Sequence, residues 1–221
     1  MQKFFLIFVS GCLLLMSCGE KVKVEKSYYP TGELCTVAPT KNGVLDGRYV
    51  SYFTNGNVEV SVDYKNGVAH GKYLKYYYKG VLQETCTYVE GKREGLATIH
   101  DEFGNIAEEL FYVNDTLNGP TTQYYDFGEI AVLGNYTKGK KDGQWSFWDP
   151  KGEKTGEAIF DMGTGTIYKF HDNGNVLIES PFVNEKKHGI EKYYDPKGKL
   201  IKEITYEHDV QVAEKEYFGK I

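Results

Sequence analysis

The stretch NGVLDGRYVSYFTNGNVEVSVDY, residues 42–64, decides the architecture of this chain, because residues 66–88, NGVAHGKYLKYYYKGVLQETCTY, repeat its pattern at once. The second glycine of this unit recurs along the chain at steps of 24, 24, 24, 24, 22 and 24 residues. It occupies Gly47, Gly71, Gly95, Gly119, Gly143, Gly165 and Gly189. A fixed period of this length indicates a repeat protein, in which each unit packs mainly on its neighbours.

Each unit predicts two strands, because aromatic and β-branched residues lie between regular glycine turns. Positions are counted from the second glycine of each unit. Position five holds Tyr52, Tyr76, His100, Tyr124, Trp148, Phe170 and Tyr194, and position seventeen holds Tyr64, Tyr88, Tyr112, Tyr136, Phe160, Phe182 and Tyr206. Position eleven is mostly apolar, as at Val58 and Leu82.

Two kinds of turn are predicted. Residues 149–152, DPKG, have the residue types of a type I turn followed by a left-handed glycine, which brings position five opposite position eleven. Side chains alternate along a strand, so positions five, eleven, fifteen and seventeen are expected on one face. Pairs such as Asp46-Gly47 predict the second turn of the unit. The single 22-residue step removes an even number of residues and should keep the same faces.

The repeat continues as half-units at both ends, at Tyr28-Tyr29 and at Tyr217-Phe218. The number of predicted strands is therefore about 17, since each hairpin contributes two. The predicted fold is all-β, an elongated single-sheet antiparallel meander or solenoid of ~24-residue hairpin repeats over residues 28–221.

The N-terminus predicts export and lipidation. Lys3 is followed by the apolar run Phe4 to Met16, which is short for a membrane span and typical of a signal peptide over residues 1–17. Leu15-Met16-Ser17-Cys18 resembles the bacterial lipobox, which implies lipid on Cys18 and attachment to the cell membrane. In a host with two membranes, Gly19 after that cysteine resembles outer-membrane sorting. Residues 18–27 form the lipidated N-terminus and tether, either a short linker or the first edge strand.

The unit NG-x-x-x-G followed by a YY-x-x-G turn resembles the MORN-repeat variant family, and NGVAHGKYLKYYYKGVLQE is especially similar to it. The resemblance covers roughly residues 28–218. It implies an elongated, curved antiparallel sheet that serves as an interaction platform. Some bacterial members are called antitoxins of the YwqK type. Leu96, Ala97 and Asp101 depart from the pattern, as does the shortened unit before Gly165.

Residue types that carry catalysis, metals or nucleic acid binding do not converge. The net charge of −5 gives no basic stripe for phosphates, and the five histidines are scattered without metal-ligand spacing. Gly163-Thr164-Gly165 lacks the third glycine of a dinucleotide loop. We therefore predict no enzyme activity, no cofactor, no metal and no nucleic acid partner.

The predicted binding surface consists of aromatic residues at even positions that occur in only some units. They are Tyr49, Phe53, Tyr73, Tyr77, Tyr125 and Trp145. Even positions are expected on the face opposite the aromatic ladders, where exposed rings typify an interaction surface. The expected function is a non-enzymatic, lipid-anchored scaffold that binds a protein, peptide or glycan; the alternative is an antitoxin or immunity protein that neutralises a toxin.

Overall fold

The computed structural model describes residues 21–217. The predicted signal peptide of residues 1–17, the lipidation site Cys18 and Phe218 lie outside the described residues. Predictions for those residues therefore stay predictions.

The described chain is built from 21 β-strands. They are β1 (Val22–Tyr28), β2 (Leu34–Lys41), β3 (Val44–Leu45), β4 (Gly47–Tyr52), β5 (Val58–Lys65), β6 (Val68–Tyr76), β7 (Leu82–Val89), β8 (Lys92–Arg93), β9 (Gly95–His100), β10 (Ile106–Val113), β11 (Thr116–Tyr124), β12 (Ile130–Thr137), β13 (Lys140–Lys141), β14 (Gly143–Trp148), β15 (Lys154–Asp161), β16 (Thr164–Phe170), β17 (Val176–Val183), β18 (Lys186–Lys187), β19 (Gly189–Tyr194), β20 (Leu200–Glu207) and β21 (Val210–Glu216).

All of these strands form one antiparallel sheet in which the chain runs back and forth from β1 to β21. The two-residue strands β3, β8, β13 and β18 are the beginnings of the strands that follow them. For example, β3 and β4 both pair with β2, and only Asp46 separates them. The sheet therefore follows the predicted path of hairpin repeats, and the all-β meander is confirmed.

The tight turns lie before the second glycine of each unit, either at the first glycine or, where that glycine is absent, at Asn114-Asp115, Asn184-Glu185 and His208-Asp209. Asn66 (φ 49°) and Gly67 (φ 80°) form the turn between the paired residues Lys65 and Val68. Two successive positive φ values match the right-handed twist of the flanking strands. Gly71 lies inside β6 instead, with φ 121°, and an added Cβ would meet the Asp63 Cβ at 2.9 Å. The turn predicted at the second glycine is wrong, because that glycine lies within a strand, as Gly71 does beneath the Asp63 side chain.

The loop at the other end of each hairpin follows the sequence prediction. In residues 149–152 the Gly152 amide donates to the Asp149 carbonyl at 3.0 Å, and Gly152 has φ 80°. The Asp149 carboxylate also accepts from the amides of Lys151 and Glu153 at 2.9 Å. Position five faces position eleven as predicted.

A β-bulge follows each of these loops and changes the distribution of side chains. Trp148 pairs with Lys154 and Phe147 with Gly156, so Thr155 has no partner in that ladder. The bulged residues at position twelve are Cys35, Glu59, Gln83, Ala107, Ala131, Thr155, Leu177 and Ile201. One extra residue reverses the alternation of faces. Positions fifteen and seventeen therefore lie on the face opposite positions five and eleven, and the prediction of one shared face is wrong.

We call the face that carries positions two, fifteen and seventeen the packed face, because both clusters of buried side chains lie on it. The first contains Cys86, Ala97, Leu110 and Tyr112, and the second contains Trp145, Ala158 and Phe160. The other face, with positions one, fourteen and sixteen, is the open face.

The shortened unit keeps its register. Phe160 pairs with Gly165 and Asp161 with Thr164, so Met162 and Gly163 alone form the turn. Ile167, two residues after Gly165, still packs on the second buried cluster. The prediction that an even deletion preserves the faces is confirmed.

The structure shows how the repeat array begins and ends within the described residues. Of the two alternatives for the tether, the structure shows the edge strand, since β1 begins at Val22 and pairs with β2 along its whole length. The sheet therefore starts before residue 28. At the other end the Tyr217 hydroxyl donates to Glu203 as that of Tyr194 does to Glu179, so Tyr217 occupies position five.

Hydrogen bonds between successive tight turns join the repeats along one edge of the sheet. The Gly67 amide donates to the Leu45 carbonyl at 2.7 Å, and the Gly91 amide donates to the Ala69 carbonyl at 2.8 Å. Equivalent bonds continue to Asp209. Each repeat is thus fixed to its neighbours by its turns as well as by its strands.

Candidate functional site

A row of paired side chains runs across the middle of the packed face, and we call it the central row. It alternates between positions two and fifteen of successive repeats. Its members are Tyr49, Val62, Tyr73, Cys86, Ala97, Leu110, Thr121, Gly134, Trp145, Ala158, Ile167, Ser180, Glu191 and Ile204. Large side chains fit where their neighbours are small, as Trp145 does between Gly134 and Ala158.

Three of the predicted binding residues, Tyr49, Tyr73 and Trp145, belong to this row. Their ring centroids lie 6.3, 5.8 and 6.4 Å from the position-seventeen rings on the neighbouring strands. They therefore share the face of that aromatic ladder, and the prediction of the opposite face is wrong because of the bulge. Burial raises the pKa of Tyr73 to about 12, and Trp145 is only 3% exposed.

The other three predicted residues, Phe53, Tyr77 and Tyr125, lie at the hairpin loops. The Phe53 ring packs 5.3 Å from Tyr78 in the next loop. The Tyr77 and Tyr125 hydroxyls donate to main-chain carbonyls of the following hairpins at 2.9 and 2.8 Å. These contacts join consecutive repeats. A binding role for the six aromatic residues stays a prediction that the structure does not test.

One member of the central row is a fully buried acid. Glu191 is 1% exposed and accepts hydrogen bonds from Ser180 and Lys187 at 2.5 Å and from Tyr193 at 2.6 Å. Burial raises the pKa of Glu191, but the bonds from Lys187, Ser180 and Tyr193 outweigh it, so the pKa lies below its ordinary value. A buried carboxylate needs such partners, and here they are supplied within two adjacent repeats.

The open face changes character along the array. Near its N-terminal end it carries charge, with Arg48 bound to Asp63 at 2.8 Å and Lys72 exposed beside them. Further along, aliphatic side chains take some of the exposed positions, beside charged pairs such as Lys192 and Glu179. Leu133 is 45% exposed, Ile159 is 74% exposed and Ile190 is 46% exposed. We call these three residues the apolar strip.

An open groove of about 480 Å³ lies beside Ile159 of the apolar strip. It is lined by Gln144, Glu157, Ile159, Thr166 and Tyr168, together with Ala158 and Gly165. The carboxylate in the groove is already paired, since Lys154 donates to Glu157 at 2.6 Å. The groove thus offers an exposed isoleucine between polar but uncharged or neutralised groups.

The histidines and acids do not converge on a metal site in the described part of the chain. Within residues 21–217 there is no group of three or more His, Cys, Asp or Glu side chains that could hold a metal ion. His70 accepts from the Glu90 amide, His171 contacts the Tyr194 carbonyl, and the His188 ring lies 4.9 Å from another histidine ring. These contacts join neighbouring repeats to each other.

The apolar strip was missed by the sequence reasoning, although a signal was present. Isoleucine and leucine occupy positions that hold charged or polar residues elsewhere, such as Asp63 where the later unit has Ile159. Position sixteen is an even position, so the sequence already places Ile159 on the predicted binding face. The predicted binding surface contains only aromatic residues and therefore omits it. Aliphatic residues at a strand's solvent position are the feature that would have revealed it.

Comparison with known proteins identifies the repeats. The model of the MORN repeat variant family matches residues 45–66, 69–90, 93–114, 164–184 and 187–208. The chain is a MORN repeat protein. No curated protein matches it. Among solved structures it is similar to a chain in the crystal structure of TcdB2-TccC3-TEV, with 10% identity and a TM-score of 0.23 over 84% of this chain. The match spans 14% of that chain.

The MORN repeats that match the family model flank the stretch 115–163, which no match covers. Trp145, Leu133 and Ile159 all lie in this stretch. The repeats between the matched ones thus keep the MORN register while they carry the most exposed part of the apolar strip. None of residues 21–217 forms a helix long and apolar enough to cross a membrane.

Proposed function

We propose that this MORN repeat protein is a non-enzymatic scaffold, anchored to a membrane by lipid on Cys18, that binds a protein partner through the apolar strip of its open face. The observation that supports this most strongly is Ile159, whose side chain is 74% exposed in the middle of a sheet. Exposed apolar side chains with polar surroundings are typical of interaction surfaces.

A protein is favoured over a glycan by the kind of side chain that is exposed. The strip is aliphatic, and the predicted binding residue Trp145, which could have stacked on a sugar, is only 3% exposed. Trp145 contacts Tyr136 edge-on at 5.2 Å and Phe160 at 6.4 Å, so neither of its ring faces forms an open platform. Aliphatic side chains suit the apolar core of a protein interface.

The anchor would hold the array close to the membrane. β1 starts at Val22, four residues after Cys18. At ~3.5 Å per residue an extended chain of that length reaches roughly 14 Å. A partner in or near the membrane is therefore within easy reach of the sheet.

Replacing Cys18 tests the anchor. We expect Cys18→Ser to abolish incorporation of labelled fatty acid and to move the protein from the membrane fraction to the soluble fraction, because the acylated thiol is lost. Cys35→Ser, which changes a free thiol within the sheet, is the control and should remain in the membrane fraction. A Cys18→Ser protein that still takes up label would refute the lipoprotein assignment.

Two substitutions in the apolar strip test the binding role. We expect Ile159→Ser with Ile190→Ser to reduce recovery of co-purifying protein from the protein's own cells by roughly tenfold or more, since central apolar contacts dominate interfaces. Thr87→Ser and Thr205→Ser on the same face are the matched control. Unchanged recovery with the double isoleucine variant would contradict the proposal. If the recovered protein is a toxin and binding to this chain blocks its activity, the scaffold acts as an antitoxin, the role that the family resemblance implies.

A further inference from the structure

Two phenylalanines stand almost fully in solvent at neighbouring hairpin loops. Phe103 is 88% exposed and Phe127 is 90% exposed. Both occupy position eight, which in the other complete repeats holds Asn55, Lys79, Lys151, Asn173 and Lys197. Loops of adjacent repeats are two strand spacings apart, ~10 Å. These two rings form a pair of apolar knobs on one edge of the sheet, and neither the array nor the apolar strip uses them.

The surroundings of the two knobs are acidic. Glu102 and Asp126 directly precede the phenylalanines, and Glu129 follows the second; all three are exposed. Asp101 is occupied within its own loop, where it accepts from the Phe103 amide at 2.9 Å. A receptor for the knobs therefore needs an apolar groove with positive charge at its rim.

Such a groove exists on the packed face of the same molecule. It has a volume of about 470 Å³ and is lined mainly by apolar side chains, among them Val132, Phe147, Ile167 and Leu177. Its cation is Lys169, which is exposed. The groove on the open face carries Glu157 instead, which suits an acidic partner less well.

We propose that two copies of this chain form a symmetric dimer in which Phe103 and Phe127 of each copy insert into the packed-face groove of the other. The loop that carries Phe127 also contributes Tyr125 to the groove wall, so knob and groove are neighbours on one surface. Neighbouring complementary features allow both contacts to form around one twofold axis. The negative charges beside the knobs then face Lys169 of the other copy.

The two phenylalanines supply a large share of the area that a stable dimer needs. A phenylalanine buries roughly 150–250 Å² in an interface. Four rings contribute roughly 600–1,000 Å² before the surface of the two grooves is added. The rings alone therefore supply at least half of the ~1,200 Å² at which specific interfaces begin.

Sedimentation velocity of the full chain, purified in mild detergent across micromolar concentrations, tests this proposal. We expect a dimer for the unmodified protein. Phe103→Ser with Phe127→Ser should raise its dissociation constant by roughly 100-fold, because the central aromatic contacts of both copies are lost. At concentrations at which both proteins are monomeric, the thermal melt should stay unchanged, since both rings are exposed in the single chain. Lys79→Ser with Lys197→Ser, at the same position of other loops, is the matched control and should sediment as the unmodified protein.

Charge reversal provides the second arm. Lys169→Glu should weaken the dimer, and adding Glu102→Lys and Asp126→Lys to it should restore the dimer. A monomer at every concentration, or a dimer that survives loss of both phenylalanines, would overturn the proposal. So would a monomer that binds vesicles of neutral phospholipid only when both phenylalanines are present, because the knobs would then serve a lipid surface.

Discussion

Replacing Trp145 with alanine is expected to lower the free energy of unfolding by ~3–5 kcal/mol, the range measured when large aromatic side chains are removed from cores. Trp145 is 3% exposed. A Cβ added at Gly134 would come within 2.3 Å of its ring, so the indole packs directly on Gly134, which has no side chain that could fill the cavity. Urea unfolding followed by circular dichroism measures the change.

The control for this prediction lies on the neighbouring strand. Ile159→Ala removes an apolar side chain from the open face next to Ala158, the cross-strand partner of Trp145. Exposed sites of this kind change stability by about 0.5 kcal/mol or less. Similar losses for Trp145→Ala and Ile159→Ala would contradict the assignment of the two faces.

Removing the cation beside Glu191 is expected to have the second large effect. Lys187→Ala leaves a buried carboxylate without its positive partner and should cost ~3 kcal/mol. Because the Lys187 side chain is 34% exposed, water will compensate in part, which places the effect at the lower end of the range for buried pairs.

An apolar replacement of Ser180, Lys187 and Glu191 is the matched comparison. Ser180→Ala, Lys187→Met and Glu191→Leu together remove both charges and the Ser180 hydroxyl, leave apolar groups of similar size beside Ile204, and keep the half-buried Tyr193. Such replacements are often neutral or stabilising. A triple variant that is less stable than Lys187→Ala would show that the cluster contributes more than the cancellation of a buried charge.

The same cluster makes stability depend on acid. The pKa of Glu191 is lowered in the folded protein by Lys187, Ser180 and Tyr193 against the opposing effect of burial. Its contribution is therefore fully present above the unfolded pKa, ~4.3 for a glutamate, and is lost as the pH falls through the lower folded value. We expect the unmodified protein to lose more stability than the apolar triple variant when the pH is reduced from neutral to below ~4.

Much of the fold could be predicted because its signals are local. The glycine period, the Asp-Pro-Lys-Gly loops and the paired aromatic residues specify strand, loop and strand wherever they occur. Even the shortened unit at Gly165 could be interpreted, since an even deletion leaves the faces unchanged. The sequence predicts the turn at Gly71 instead of at Asn66-Gly67, because both glycines of the unit are typical turn residues. In this unit the packing of Asp63 over Gly71 distinguishes the two.

The face on which the central row lies could not be predicted, because one unpaired residue decides it. Position twelve holds Cys35, Glu59, Ala131 and Leu177 among others, and these residue types share no property that marks a bulge. The bulge depends on how the loop fits the ladder of the neighbouring strand, which is a tertiary property. The predicted register contains no bulge, so it places positions two, fifteen and seventeen on the wrong faces. The predicted exposure of Trp145 is wrong for the same reason.

The most direct test of the account measures whether Ile159 is covered in the protein's own cells. In a chain with Cys35→Ser and Cys86→Ala, which removes the two free thiols of the sheet, Ile159→Cys is labelled with a membrane-permeant maleimide, first in intact cells and then after purification. Thr87→Cys, at the same row of the open face in the charged part of the array, serves as the reference site. The account predicts rapid labelling of both sites after purification and strong protection of Ile159→Cys alone in cells. Equal labelling of Ile159→Cys in cells and in the purified chain would contradict a bound protein partner on the apolar strip.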